Sequence, residues 1–96
     1  DDEATTGAMT AIEQQGRDDI VLIVSGGGGT VTGMNDILND DTIHKATASY
    51  FPRIGAHAVE VIREYLLNGN IEKNNVKEST LMTKENVSNF LEWAYQ

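Results

Sequence analysis

The chain contains no cysteine, which excludes a disulfide scaffold, thiolate catalysis and any cysteine-based zinc site. Proline occurs once, at Pro52, and Lys and Arg together number seven against fifteen Asp and Glu. The formal net charge is −8 and the basic residues do not cluster, so a phosphate backbone finds no stripe to bind. Nucleic acid is thereby excluded as a direct partner of this segment, and attraction to anionic membranes is disfavoured for the same reason. No run of about 18 apolar residues occurs, and no signal-peptide pattern.

A chain of 96 residues buries about 60–65% of its unfolded surface, enough for one small domain. Asp2 is placed to cap a first helix with Ala4, Ala8, Ala11 and Ile12 on one face, and Gly16 to end it. Ile20 to Val24 is a run of five apolar residues, mostly β-branched. Without alternation, it predicts a strand buried on both faces, as in a parallel sheet. Gly26 to Gly29 follow, then a short helix that turns Met34, Ile37 and Leu38 inward.

A second strand is predicted from Ala46 to Phe51, stopped by Pro52, which suits the first turn of a helix. That next helix carries the strongest periodicity in the chain: Ile54, Ala58, Val61, Ile62, Tyr65 and Leu66, ending near Gly69. After the polar linker Asn70 to Asn75, Glu78 to Met82 predicts a short third strand. Thr83 is placed to cap a last helix with Val87, Phe90, Leu91 and Ala94 on one face. The order αβαβαβα with short connections predicts an α/β fold with a largely parallel sheet. Ligands of such sheets lie beyond the carboxyl ends of the strands, which points at Ser25 to Thr30 and at Tyr50 to Arg53.

The four glycines fit three readings: a backbone cradle for phosphate, a loop bordering a neutral ligand, or a flexible turn. The spacing Gly28 to Gly33 matches the nucleotide P-loop, but Met34-Asn35 stand where Lys and Ser/Thr are required. No dinucleotide fingerprint fits either. His44 and His57 fall on different predicted elements without further ligands, so they read as partly exposed imidazoles and no metal site is expected. Ser25 precedes the glycines, whereas a nucleophile elbow needs glycines on both sides; no catalytic triad can be assembled, and no catalytic residue or cofactor is expected. With Asp2 as cap, Asp1 is expected to point at a ligand cleft, where a carboxylate suits adjacent sugar hydroxyls. Tyr50 and Phe51 either stack on the apolar face of a sugar or belong to the core.

Four segments resemble one family when taken together. Asp1-Asp2-Glu3 through Gly7-Ala8 resembles an N-D-E-M-A-L-G-A block, with Asp1 in place of Asn. Ile20 to Gly28 resembles a strand and loop written V-V-G-F-D-G. Ala46-Thr47-Ala48-Ser49-Tyr50-Phe51-Pro52 with Ile54-Gly55 resembles A-T-I-A-Q-x-P…x-G, one residue shorter after Pro52. Met82-Thr83-Lys84-Glu85-Asn86-Val87 is similar to a terminal V-T-K-E-N-V. The chain thus resembles, over nearly all its length, the C-terminal portion of a type I periplasmic sugar-binding protein, the receptor of a bacterial ABC importer.

The resemblance implies an incomplete three-layer lobe of a two-lobed extracytoplasmic receptor, periplasmic or lipid-anchored, that closes on a monosaccharide or related polyol at a hinge. Residues 1–51 would be part of the C-terminal lobe. Residues 52–75 would cross the hinge to pack on an N-terminal lobe, and 76–96 would return with the terminal helix. The ABC permease would be its partner. Asp1 matches a ligand-contacting Asn, Gly27 stands where a sugar-binding Asp is usual, and Tyr50 matches a hinge Gln that contacts the ligand. The ligand-binding set it implies is Asp1, Ser25, Gly26, Gly27 and Tyr50. LacI-type repressors share the N-D-E block and the loop but lack the terminal block; they and the ligand-binding domains of membrane sensors are the alternatives. Without an N-terminal lobe, the stripe from Ile54 to Leu66 loses its partner, at a cost on the order of 5–10 kcal/mol. The helix is then expected to swing away, to stand apart, or to pair with another copy.

Overall fold

A computed structural model describes residues 1–49 and 53–96. The architecture is a small mixed α/β unit. Helix α1 spans Asp2–Gln14, β1 Ile23–Gly26, α2 Val31–Asn39, β2 His44–Ser49, α3 Arg53–Asn68 and β3 Thr80–Thr83, and a 3-10 helix over Val87–Trp93 closes the chain. The open sheet has the order β1-β2-β3, with β1 and β2 parallel and β2 and β3 antiparallel. The antiparallel third strand corrects the expectation of a largely parallel sheet. The chain re-enters from α3 by a long polar segment, so β3 runs opposite to β2 and pairs Ser49 with Thr80.

Helix α1 starts one residue earlier than its apolar pattern suggests. Asp1, not Asp2, is the N-cap: its side chain accepts from the Ala4 amide at 2.9 Å. The far end closes as expected. Gly16 takes φ +61°, its N–H reaches Glu13 O, and Arg17 N–H reaches Ile12 O, the paired bonds of a Schellman motif.

Strand β1 is shorter than the apolar run and displaced along it, because pairing begins only where β2 is available: Ile23 N donates to Ile43 O at 2.7 Å. Burial on both faces does not hold either. Val21, Leu22 and Val24 are more than half exposed, as is Leu81 on β3. The opposite row, Ser25–Thr47–Met82, is fully paired across the sheet and buried. Against that side pack Met34 and Ile37 of α2 and Val87 of the 3-10 helix, with Leu38, Phe90 and Ala94 at the margin. One side of the sheet is covered; the other row is largely bare.

The last helix is a 3-10 segment with Asn86, not Thr83, at its start, and Asn86 makes no side-chain cap. Its amide group instead braces the preceding turn, accepting from Thr83 N at 2.8 Å and donating to Leu81 O at 3.0 Å. Helix α3 ends as expected at Gly69, φ +66°, whose N–H returns to Tyr65 O. It buries none of its residues: Ile62, Tyr65 and Leu66 are 56%, 51% and 76% exposed. The chain is elongated, 58 × 23 × 20 Å. The radius of gyration is 17.0 Å, against about 12.5 Å for a compact chain of this length.

Candidate functional site

The carboxyl edge of the sheet is built around a buried carboxylate. Asp2 opens α1 beside the glycine loop and is 5% exposed. Its Oδ2 accepts from Gly29 N at 3.0 Å, Thr30 N at 2.8 Å and Thr30 Oγ1 at 2.6 Å; its Oδ1 accepts from Ser25 Oγ at 3.3 Å. Burial pushes its pKa up. The Thr30 hydroxyl, the Gly29 and Thr30 amides and the proximity of His44 outweigh that, so the net direction is down. A Cβ at Gly28 or at Gly33 would collide with this carboxylate, which is why both positions carry none.

The glycine loop is therefore an anion cradle, but the anion is the chain's own Asp2. Three further backbone groups of the loop are engaged: Gly27 N donates to Ala48 O, Tyr95 N to Gly29 O, and Tyr95 Oη to Gly27 O. Phosphate binding through the Gly29 and Thr30 amides is excluded by this occupancy.

Ser25 faces inward rather than toward a cleft. Its Oγ lies 2.9 Å from His44 Nε2, and the two residues are 6% and 1% exposed. His44 is thus a buried network member, not the partly exposed imidazole expected; His57, on α3, is half-buried near Glu60. Serine, histidine and aspartate do converge, contrary to the expectation that no triad can be assembled. Their connectivity is wrong for catalysis: the carboxylate touches the serine, and no substrate can reach the buried hydroxyl.

Of the expected ligand contacts, Asp1 caps α1 at the surface, Ser25 is buried, Gly26 is exposed at the end of β1, and Gly27 is partly buried under Tyr95. Tyr50, Phe51 and Pro52 lie outside the described residues, so the expectation that Tyr50 completes the edge falls there too.

The concave feature of this edge lies at β2 and β3. A cleft of about 500 Å³ opens between Ser49 at the end of β2, the first turns of α3 and the segment entering β3. Arg53, His57 and Glu60 form one wall, Lys77 and Glu78 another, with Trp93 between. Ser79 Oγ donates to Ser49 O at 3.2 Å and pins the returning chain to the departing one. The Arg53 guanidinium lies 5.0 Å from the Trp93 ring centroid, and Trp93 meets Phe90 edge-on at 5.7 Å. The strand-end rule pointed at Arg53; Lys77 and Trp93 carried no sequence signal, since only the antiparallel return of β3 brings them near it.

Among the described residues, no group of three or more His, Cys, Asp or Glu is placed to hold a metal, and no helix is long and apolar enough to cross a membrane. No protein-family model matches the chain, and no curated protein matches it significantly.

Proposed function

We propose that this chain is part of an extracytoplasmic solute receptor that closes two lobes on a small ligand, a monosaccharide or related polyol, and delivers it to an ABC permease. The observation that carries this reading is the stand-off of α3. A sixteen-residue helix with a strong apolar stripe has no buried residue, and Ile62, Tyr65 and Leu66 stand more than half exposed. Such a stripe is stable when another layer covers it, and an N-terminal lobe supplies that layer in the family the sequence resembles. The cleft supports the same reading, because it sits where the chain leaves the sheet for α3 and returns to it. Its volume is in the usual range for small-molecule sites. We read the role as binding: among the described residues no accessible nucleophile is paired with a base.

A LacI-type repressor core or a membrane sensor domain would use the same lobe, and the segment flanking the lobes in the full-length protein separates the three. The test is a thermal-shift screen of the full-length protein against neutral and charged monosaccharides and polyols. A ligand at a hundredfold excess over its Kd adds about 2.7 kcal/mol of stability, and small-angle scattering should show the protein contract with that ligand. A protein that no compound in the panel stabilises is not this receptor.

A further inference from the structure

The charges of the cleft say what kind of ligand it takes, provided the receptor reading above holds. Of the seven basic residues, Arg17, Lys45 and Lys84 each pair with an aspartate. Arg53 and Lys77 both line the cleft, and neither has an ion-pair partner among the described residues. Glu60 on the same wall reaches into solvent, 78% exposed and 3.9 Å from His57. Glu60 and Glu78 match the two cations in number, but among the described residues neither lies within ion-pair distance of Arg53 or Lys77.

Arg53 is also held in place. Its guanidinium carbon lies 5.0 Å from the Trp93 ring centroid, and the cation–π attraction at that distance limits its rotamers. A fork fixed in this way matches a carboxylate or phosphate through two parallel hydrogen bonds. The overall charge of −8 does not oppose this at contact distance. Charges spread over a molecule 58 Å long are screened beyond about 8 Å at physiological salt.

We infer that the cleft takes a monosaccharide bearing one anionic group, carboxylate or phosphate, gripped by Arg53 and Lys77, with Trp93 positioning the guanidinium.

The experiment is calorimetric titration of the full-length protein with galactose, galacturonate, galactose 6-phosphate and galactosamine, and with the matching glucose series. One anionic derivative should bind tighter than its neutral parent by on the order of 10- to 100-fold. Comparing galacturonate with the phosphate assigns the anion. Arg53→Met, chosen only if its ligand-free melting matches the wild type, should erase that preference, while Arg53→Lys restores part of it. Lys77→Met should reduce the preference in the same direction. If a neutral or amino sugar binds as tightly as the anionic ones, this inference fails and the receptor reading stands. If none of the compounds binds, the receptor reading fails and takes the inference with it.

Discussion

Thr30 donates to Asp2 twice, through its amide at 2.8 Å and its hydroxyl at 2.6 Å, and the same hydroxyl accepts from Gly33 N at 3.1 Å. One threonine thereby caps α2 and anchors it to the first turn of α1. A carboxylate near two helix N-termini is stabilised by both sets of unpaired N–H groups. The link replaces, at the carboxyl edge, the external anion that a glycine loop often binds.

Asp1 and Asp2 should separate cleanly on mutation. Asp1→Ala removes one surface cap and should cost about 1 kcal/mol. Asp2→Ala strands the Gly29 and Thr30 donors in a buried site and should cost about 3 kcal/mol or more. Urea unfolding followed by circular dichroism measures both; equal costs would show that the Asp2 network adds nothing beyond a cap.

The glycines of the loop and of α2 should divide in the same way. Gly28→Ala and Gly33→Ala place a methyl against the Asp2 carboxylate, and each should destabilise by about 1–3 kcal/mol. Gly26→Ala meets open space at an ordinary φ and should be neutral, or stabilising by about 0.5 kcal/mol. Thermal melts of the three variants give the comparison directly, and a tolerated Gly28→Ala would contradict the packing of Asp2.

Acid should destabilise the fold through Asp2. Its folded pKa lies below the unfolded value of about 3.9. The stability it contributes is therefore present above that value and lost as pH falls through the folded pKa. Asp36 works the other way. Burial raises its pKa, so its contribution is full below the unfolded value and lost as pH rises through the folded one. Urea midpoints between pH 2.5 and 6 should fall toward acid in the wild type, less steeply in Asp2→Asn. Asp36→Asn should raise the midpoint at pH 6; a lowered midpoint there would show that the charged form of Asp36 is favoured in the fold.

The α3 stripe should be sticky in the 96-residue chain by itself. Ile62 and Leu66 are exposed, so Leu66→Ser should cost under about 0.5 kcal/mol, whereas Met34→Ala in the core should cost about 2–5 kcal/mol. Light scattering should show self-association that Ile62→Glu with Leu66→Glu abolishes. A monomer at every concentration would mean that this stripe, though bare, needs no cover.

Several elements were legible because their signals are local. The apolar spacing of α2, the glycine stops after α1 and α3, and the α3 stripe all depend on neighbours within a few residues. The cap of α1 was displaced by one residue because Asp1, Asp2 and Glu3 offer equivalent chemistry, and only the approach of Thr30 selects which carboxylate turns inward. The direction of β3 and the 3-10 form of the last helix were not legible either. Strand polarity follows from the path of the connection, and the final turn tightens around Val87 and the Met82 core.

The sequence by itself determined the order of elements, the absence of cysteine chemistry and the acidic charge balance. These depend on composition and on spacings along the chain. Tertiary structure alone decided that Ser25 and His44 are buried partners, that the glycine loop closes on Asp2, and that Arg53, Lys77 and Trp93 share a cleft. Each of those outcomes depends on distances between segments far apart in sequence, and strand pairing and register, not local propensity, bring such segments together.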